Sequence, residues 1–471
     1  NAKLYMLRGD LNLTAQQSLF VHYYYNENQA ATNGVAYGTN IAGWTSQTQK
    51  PVFHNAGISH TYTASGTLIN QLTLGFTRSF SLNTPTVTRT PEELGIQGMP
   101  MYTNGGSPRF NVSGRFALGS GGPVKFASNV YQIQEHVSWV RNRHTLRFGF
   151  EHLDLGFFQS FLGPPQFSFS GERTGGGVAT RGDPMADFLI GAYQQVPITN
   201  GVRNNDGGNT FTAAFLQDDF RVSPRLTLNL GLRYELPTPW VDKHDAINTV
   251  VTDPNVRSKK IPTAPPGMLF PGDLPRGLYN TDKNNFAPRF GFAWDVFGDG
   301  RTAVRGAYGL FYDTFNTDTV AQENPPFNGG ARTFRNGRLF NPFGSIGAVA
   351  PPAFIDPNAF TFVFPINGLW SGVGKDSLRT TYVQEWNLTI ARELGRSYAL
   401  STAYIGKTGR KLIAFRPFNA APYIPGNNAQ GQPLSTVTNA ESRVPFLPGV
   451  YGPQGYFLDN AFTSAYHSGQ I

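Results

Sequence analysis

The sequence predicts an all-β protein: an incomplete transmembrane antiparallel up-and-down barrel, with short turns at one end and long loops at the other. Three observations carry that expectation. Segments of about ten residues alternate apolar and polar side chains, they come in pairs joined by tight turns, and long Gly- and Pro-rich connections separate the pairs. Successive side chains of a strand point to opposite faces. About ten residues tilted near 45° also match the apolar band of a barrel, about 25 Å tall.

Composition narrows the choice. The 471 residues include 53 Gly and 34 Pro, with aromatic and charged residues each at 14%, whereas soluble domains carry about 25% charge. Part of the surface therefore faces something other than water. Mean hydropathy is −0.29, and no run approaches the roughly 18 apolar residues of a membrane helix. That excludes a helical membrane protein but not a barrel, whose apolar residues are diluted by alternation. The net charge of +8 is scattered among acidic residues, so no nucleic acid partner is expected. The absence of cysteine removes disulfides, zinc-thiolate sites and thiol nucleophiles, and suits a chain that crosses an oxidising compartment. Asn1 is not an initiator Met and no signal core follows it, so the chain reads as a piece of a longer protein.

The expected hairpins pair residues 3–14 with 18–26, 51–63 with 68–81, and 129–140 with 145–156. Three more pair 210–222 with 225–235, 285–297 with 302–313, and 382–392 with 397–407, about twelve strands in all. Asp299-Gly300 marks a tight turn, where Gly supplies positive φ. The connections at 82–128, 157–209, 236–284, 314–381 and 408–463 are too long for a compact soluble domain but suit the outer loops of a barrel. One holds a short helix, "DPMADFLIG", with Asp183 as N-cap, Pro184 in the first turn and Gly191 as stop.

Phase assigns the faces. In "RLTLNLGLRYE" Leu226, Leu228, Leu230, Leu232 and Tyr234 oppose Thr227, Asn229, Gly231, Arg233 and Glu235. Leu146, Phe148 and Phe150 oppose Arg147 and Glu151; Phe290, Phe292 and Trp294 oppose Arg289 and Asp295; Val304, Tyr308 and Leu310 oppose Arg305; Leu72, Leu74 and Phe76 oppose Thr73 and Thr77. Six hairpins with one apolar face each ask for a large apolar partner, which lipid supplies. Three places are less regular. Arg392 shares a face with Trp386, Leu388 and Ile390; residues 210–222 start apolar on both faces; and Pro288 requires a bulge or a strand start.

"AAFLQDDFRVSPRLTLNLGLRYE", "NNFAPRFGFAWDVFGDGRTAVRGAYGLFYD" and "VQEWNLTIARELGRSYALSTAYIGKTGRKL" resemble successive hairpins of TonB-dependent outer-membrane receptors, closest to the Oar-like branch. That branch carries a carboxypeptidase-regulatory-like sandwich ahead of the plug. The resemblance covers nearly the whole chain. It implies a 22-stranded barrel in the outer membrane of a Gram-negative bacterium, plugged by a domain of the same parent chain, with the TonB complex, outer-membrane lipid and an unknown solute as partners. Residues 1–471 are then one partial barrel domain without the sandwich, plug, TonB box and C-terminal strands.

Candidate site residues fall into two sets. The lumen-side charges Arg147, Glu151, Asp219, Arg233, Glu235, Arg289, Asp295, Arg305 and Glu385 are expected to form a hydrated wall of ion pairs or to dock the plug, with direct solute contact the lesser expectation. Trp44, Tyr102, Arg109, Trp240, Lys259, Lys260, Arg335 and Trp370 sit in outer loops, where ring stacking and cations would suit a captured ligand; loop packing is the bland reading. Metal and cofactor are not expected. The eight histidines show no facing pair even around His136 and His152, "NNDGGN" and "NTDKNN" lack full calcium-loop spacing, and "RGD" at Arg8 to Asp10 lies inside a strand. No nucleophile elbow or phosphate loop appears, so an enzyme is not expected. The readings left standing are an energised transporter, a passive porin or adhesin barrel, and a soluble carbohydrate-binding β-protein.

Overall fold

The computed structural model describes residues 2–33, 46–85, 89–99, 106–119, 124–161, 165–177, 181–199, 203–313, 326–327, 331–344, 356, 362, 364–366, 369–373, 378–395, 397–436, 439–453 and 455–471. Its main sheet is a meander of thirteen long strands: β1 (Ala2–Asn12), β2 (Gln17–Asn28), β3 (Ser46–Ser65), β4 (Leu68–Pro85), β5 (Val124–Arg141), β6 (His144–Phe161), β7 (Arg203–Ser223), β8 (Leu226–Pro237), β9 (Asn285–Asp295), β10 (Thr302–Asp313), β11 (Thr381–Leu394), β12 (Tyr398–Pro417) and β13 (Gly455–Gln470). Each pairs antiparallel with its neighbours in sequence order. A short strand, Leu369–Val373, runs parallel to β13 at one end of the sheet, and β1 ends the other. Among the described residues the sheet does not close on itself.

The register confirms the phase. One row crosses eight strands as Leu146, Asp218, Leu230, Phe290, Tyr308, Trp386, Gly406 and His467. The next position across β6 to β13 gives Arg147, Gln217, Gly231, Arg289, Gly309, Glu385, Lys407 and Tyr466. The leucine-bearing face is open: Leu216 is 55% exposed, Leu232 49%, Ile390 49% and Phe290 45%. None of these residues belongs to the packed apolar clusters. No second sheet covers that face among the described residues, so the leucines are solvated by lipid rather than by a protein core. Trp139 and Trp294 lie near the turns, while Tyr25, Tyr131, Tyr234, Tyr312 and Tyr382 lie nearer the loop ends, two aromatic girdles on one face.

Several details resolve the irregular places. Pro288 sits opposite Leu232 of β8, and pairing of β9 with β10 starts only at Arg289, so the missing N–H falls where the strand has one neighbour. Arg392 pairs with Thr302 at the turn end, its guanidinium 5.9 Å from the Phe297 ring centroid. The doubly apolar start of β7 faces the lumen through Phe211, Ala213 and Phe215, which pair with Pro237, Glu235 and Arg233.

The expectation of twelve strands is one short. β13 lies partly inside the segment read as a connection, and its polar residues on both faces give little alternation. The long connections are also not structureless. Arg109–Val112, Phe116–Leu118, Gln166–Phe169, Gln195–Thr199 and Ala331–Arg335, from three different loops, form a separate five-stranded sheet. It packs Phe110, Val112, Phe167, Phe169, Tyr193 and Val196 into a core. Beside it lies α1 (Pro184–Leu189), capped as expected: Asp183 accepts from the N–H groups of Met185 and Ala186, and Gly191 has φ +65°. A second loop core packs Val250, Met268, Phe270, Ile366, Phe446 and Tyr451.

Gly406 lies directly opposite Trp386, and a Cβ there would sit 2.3 Å from the indole Cε2. The ring therefore fills the space over the glycine. Gly406→Val is expected to expel the ring and to cost about 1–3 kcal/mol, read as a lower urea midpoint for the barrel in liposomes. Gly469→Ala, with nothing within 4 Å, should leave the midpoint unchanged.

Candidate functional site

The inner face of β6 to β12 gathers most of the expected charges into two networks. Arg233 spans two carboxylates, with Nε 2.6 Å from Glu235 Oε1 and Nη2 3.1 Å from Glu151 Oε2, and its guanidinium lies 5.9 Å from the Phe211 ring centroid. Gln132 donates to Glu151 at 3.2 Å. Nearer the turns, Asp219 accepts from Arg147 at 2.9 Å, from Asn229 at 2.6 Å and from Gln217 at 3.3 Å. Arg289 stacks 4.6 Å over the Phe311 ring, and Glu385 pairs with Lys407. These groups converge because their strands are neighbours and their phase is shared. Asn229 was expected on this face but not as a partner of Asp219, while Lys407, Gln132 and the lumenal rings Phe211 and Phe311 carry no signal within their own strands.

Two expected members stand apart. Asp295 does not project along the wall: its carboxylate accepts from Gly298 N at 2.9 Å and Gly300 N at 3.1 Å, which holds the β9–β10 turn. That role follows from its place at the strand end, where turn N–H groups need an acceptor. Arg305 lies exposed on β10, opposite Ala293 and Thr389.

The expected loop set is dispersed. Trp44 and Tyr102 lie outside the described residues; Trp370 falls on the strand Leu369–Val373, and its side chain is likewise outside them. Arg109 and Arg335 belong to the five-stranded sheet three positions apart, with Arg335 donating to Gln195 at 3.0 Å. Lys259 and Lys260 are exposed, and their backbone N–H groups donate to Asp273 at 2.7 and 2.9 Å. Trp240 does not present its ring outward: it is 1% exposed and packs with Ile247 and Leu278. The burial is possible because Gly207 lies under the indole, where a Cβ would come within 2.6 Å of Cζ2.

At the loop end of β7 and β8 the structure instead opens a cavity of about 770 Å³, bordered by Asp154, Thr210, Arg276, Tyr279 and Lys283. None of these was expected to border a ligand site, though Lys283 lies in the "NTDKNN" segment weighed as a calcium loop; they come from two strands and a long loop. A smaller one, about 40 Å³, adjoins it through Asn209, Thr238 and Tyr279. Two carboxylates shape the loop above. Asp242 is buried, which pushes its carboxyl up, against the pull of N–H groups from Ala246, His244 and Asp206. For Asp273 burial also pushes upward, but donors from Ser258, Lys260, Phe270 and Lys259 prevail and hold it below the usual carboxylate range. Among the described residues no group of three metal-ligating side chains occurs.

An open apolar face, a charged inner face and aromatic girdles are the marks of a membrane barrel, and the whole sequence, residues 1–471, matches the family described as the outer membrane beta barrel domain. The chain belongs to that family. As an outer membrane beta-barrel it resides in the outer membrane of a Gram-negative bacterium. Among solved structures, the barrel is similar to the outer membrane transporter YddB from Escherichia coli, at 10% identity over 89% of this chain and 41% of that one, with a TM-score of 0.48. It is similar to a double mutant of the Serratia marcescens hemophore receptor HasR, at 11% identity over 99% and 51%, TM-score 0.46. The siderophore receptor PirA from Pseudomonas aeruginosa gives 10% identity over 99% and 52%, TM-score 0.43. The chain thus spans about half or less of these proteins' lengths. No curated protein matches the sequence.

Arg233→Ala leaves Glu151 and Glu235 facing each other without the cation and is expected to cost about 1–2 kcal/mol in liposome unfolding. Arg233→Lys should recover only part, because it cannot span both carboxylates. Asp273→Asn is expected to speed amide exchange across residues 258–273 about fivefold at neutral pH, about 1 kcal/mol of local stability. A depressed carboxyl stabilises the fold above its unfolded pKa, about 3.9, and loses that contribution as pH falls through the folded value. The wild-type loop should therefore approach the Asn variant only in acid below about pH 4.

Proposed function

We propose that the chain is the barrel of a TonB-dependent receptor of the Oar-like branch, which takes up a large or scarce solute captured by the outer loops. The observation that carries this reading is the pairing of a lipid-solvated outer face with an inner wall whose charges are already bonded to one another. Such a wall gives a plug domain of the same protein fixed donors and acceptors to dock on, through Arg233, Glu151, Asp219 and Arg147. The three hairpins quoted from the sequence support the branch, and the open edge of β1 among the described residues suits a barrel with further strands. In this reading the loop layers, with the cavity bordered by Arg276 and Lys283, receive the solute. TonB then remodels the plug and opens the lumen. The wall guides and binds; it performs no bond chemistry.

The rival reading is a passive pore, and energy coupling separates the two. Cells carrying the protein should bind solute from their growth medium at the surface with or without a proton gradient, and accumulate it only with one. Accumulation that survives an uncoupler would overturn energised uptake and favour the pore.

A further inference from the structure

Hydrocarbon does not account for one part of the outer face. His60 on β3, Leu72 on β4 and Glu135 on β5 share a single register row there, His60 opposite Leu72 and Leu72 opposite Glu135. Asn70 donates to Glu135 Oε1 at 2.8 Å, and Gln17 Oε1 lies 3.2 Å from His60 Nε2. Around them the face is apolar: Leu19, Ile58, Leu74, Ile133 and Val137, with Ile58 46% and Leu74 47% exposed. His60 lies six residues before Gly66 and Glu135 seven before Asn142, the two turns of these hairpins, so both groups sit at one depth. Trp139 of the lower girdle lies nearer the turn, which places Glu135 inside the apolar band. Other ionisable residues on this face are paired within the chain, His144 with Asp218 at 2.7 Å and Lys3 with Glu27 at 3.3 Å.

An ionisable side chain facing lipid is costly, and such residues are rare unless a partner meets them. Among the described residues Glu135 Oε2 and His60 Nδ1 have no hydrogen-bond partner. We propose that this face is the contact between two copies of the chain, related by a two-fold axis along the membrane normal beside Leu72. A two-fold contact must be self-complementary, and this patch is. A half-turn about Leu72 sets each His60 opposite the partner's Glu135 at equal depth, with Leu72 against its counterpart. His60 and Glu135 lie two strand spacings apart, about 10 Å, so both pairs form at once. A ring nitrogen and a carboxyl oxygen without partners flank an apolar centre, and one proton shared across each His60–Glu135 contact would satisfy both, so a second copy of this patch completes it.

The sequence contains no cysteine, so a single one reports contact cleanly. Leu72→Cys in native outer membranes, oxidised with copper phenanthroline, should give a disulfide-linked dimer. Leu230→Cys, on the same face of β8, should give less than a tenth as much. Adding Glu135→Lys should cut the Leu72→Cys dimer at least tenfold, and adding His60→Glu to that pair of changes should restore it. The unsubstituted protein, extracted into native nanodiscs and weighed by mass photometry, should show two copies per particle. Single-copy particles, a folded Leu72→Cys barrel that stays monomeric, equal cross-linking at both positions, or a disulfide to a different protein would each overturn the proposal.

Discussion

Everything in this architecture follows from the absence of water on one side of a sheet. In hydrocarbon a backbone N–H or C=O without a partner costs several kcal/mol, so each strand inside the membrane has to be laddered along both edges. A meander of nearest neighbours achieves this with the shortest connections, and the thirteen strands obey it without a crossover. Positions where the ladder is interrupted are placed accordingly: Pro288 falls where β9 has a neighbour on one side only. Once the backbone is satisfied by geometry, side chains are free to serve two solvents.

Those solvents invert the usual arrangement of a folded protein. The packed apolar cores lie in the loops, around Phe167 and Tyr193 in one layer and Met268 and Phe446 in another, while the membrane strands keep their leucines outside. On the inner side, charges are held in networks that each satisfy several carboxylate oxygens, as Asp219 is by Arg147, Asn229 and Gln217. A wall of that kind is stiff without a filling, because its polar groups do not wait for a ligand to be paired.

What could be read from the sequence tracks how local the cause is. The phase of Leu226 to Tyr234 is set by two-residue periodicity, and the helix after Asp183 by its cap and stop residues; both need only a few neighbours along the chain. The lumenal charges were legible as a face but not as pairs, since Arg233 reaches Glu151 across 82 positions. Loop residues were least legible. Trp240 looks like an exposed ring until Gly207, far along the chain, makes room for it, and Asp295 looks like a wall charge until the turn beside it recruits its oxygens. β13 was hidden because its sequence, GYFLDNAFTSAYHSGQ, carries polar groups on both faces. The strands of the loop sheet span 3 to 5 residues and pair across loops, so no periodicity announces them.

That loop sheet also ties together segments far apart in the chain. Its members arise after β4, after β6 and after β10, and the parallel pairing of Arg109–Val112 with Gln166–Phe169 leaves the segment Gln195–Thr199 bridging to Ala331–Arg335. The last of these follows strands β7 to β10 in the chain, so its pairing with Gln195–Thr199 closes a loop across both intervening hairpins. The cap therefore acts as a latch: three arches fastened to one another force bending of the sheet's loop edge to be shared among them rather than confined to any one.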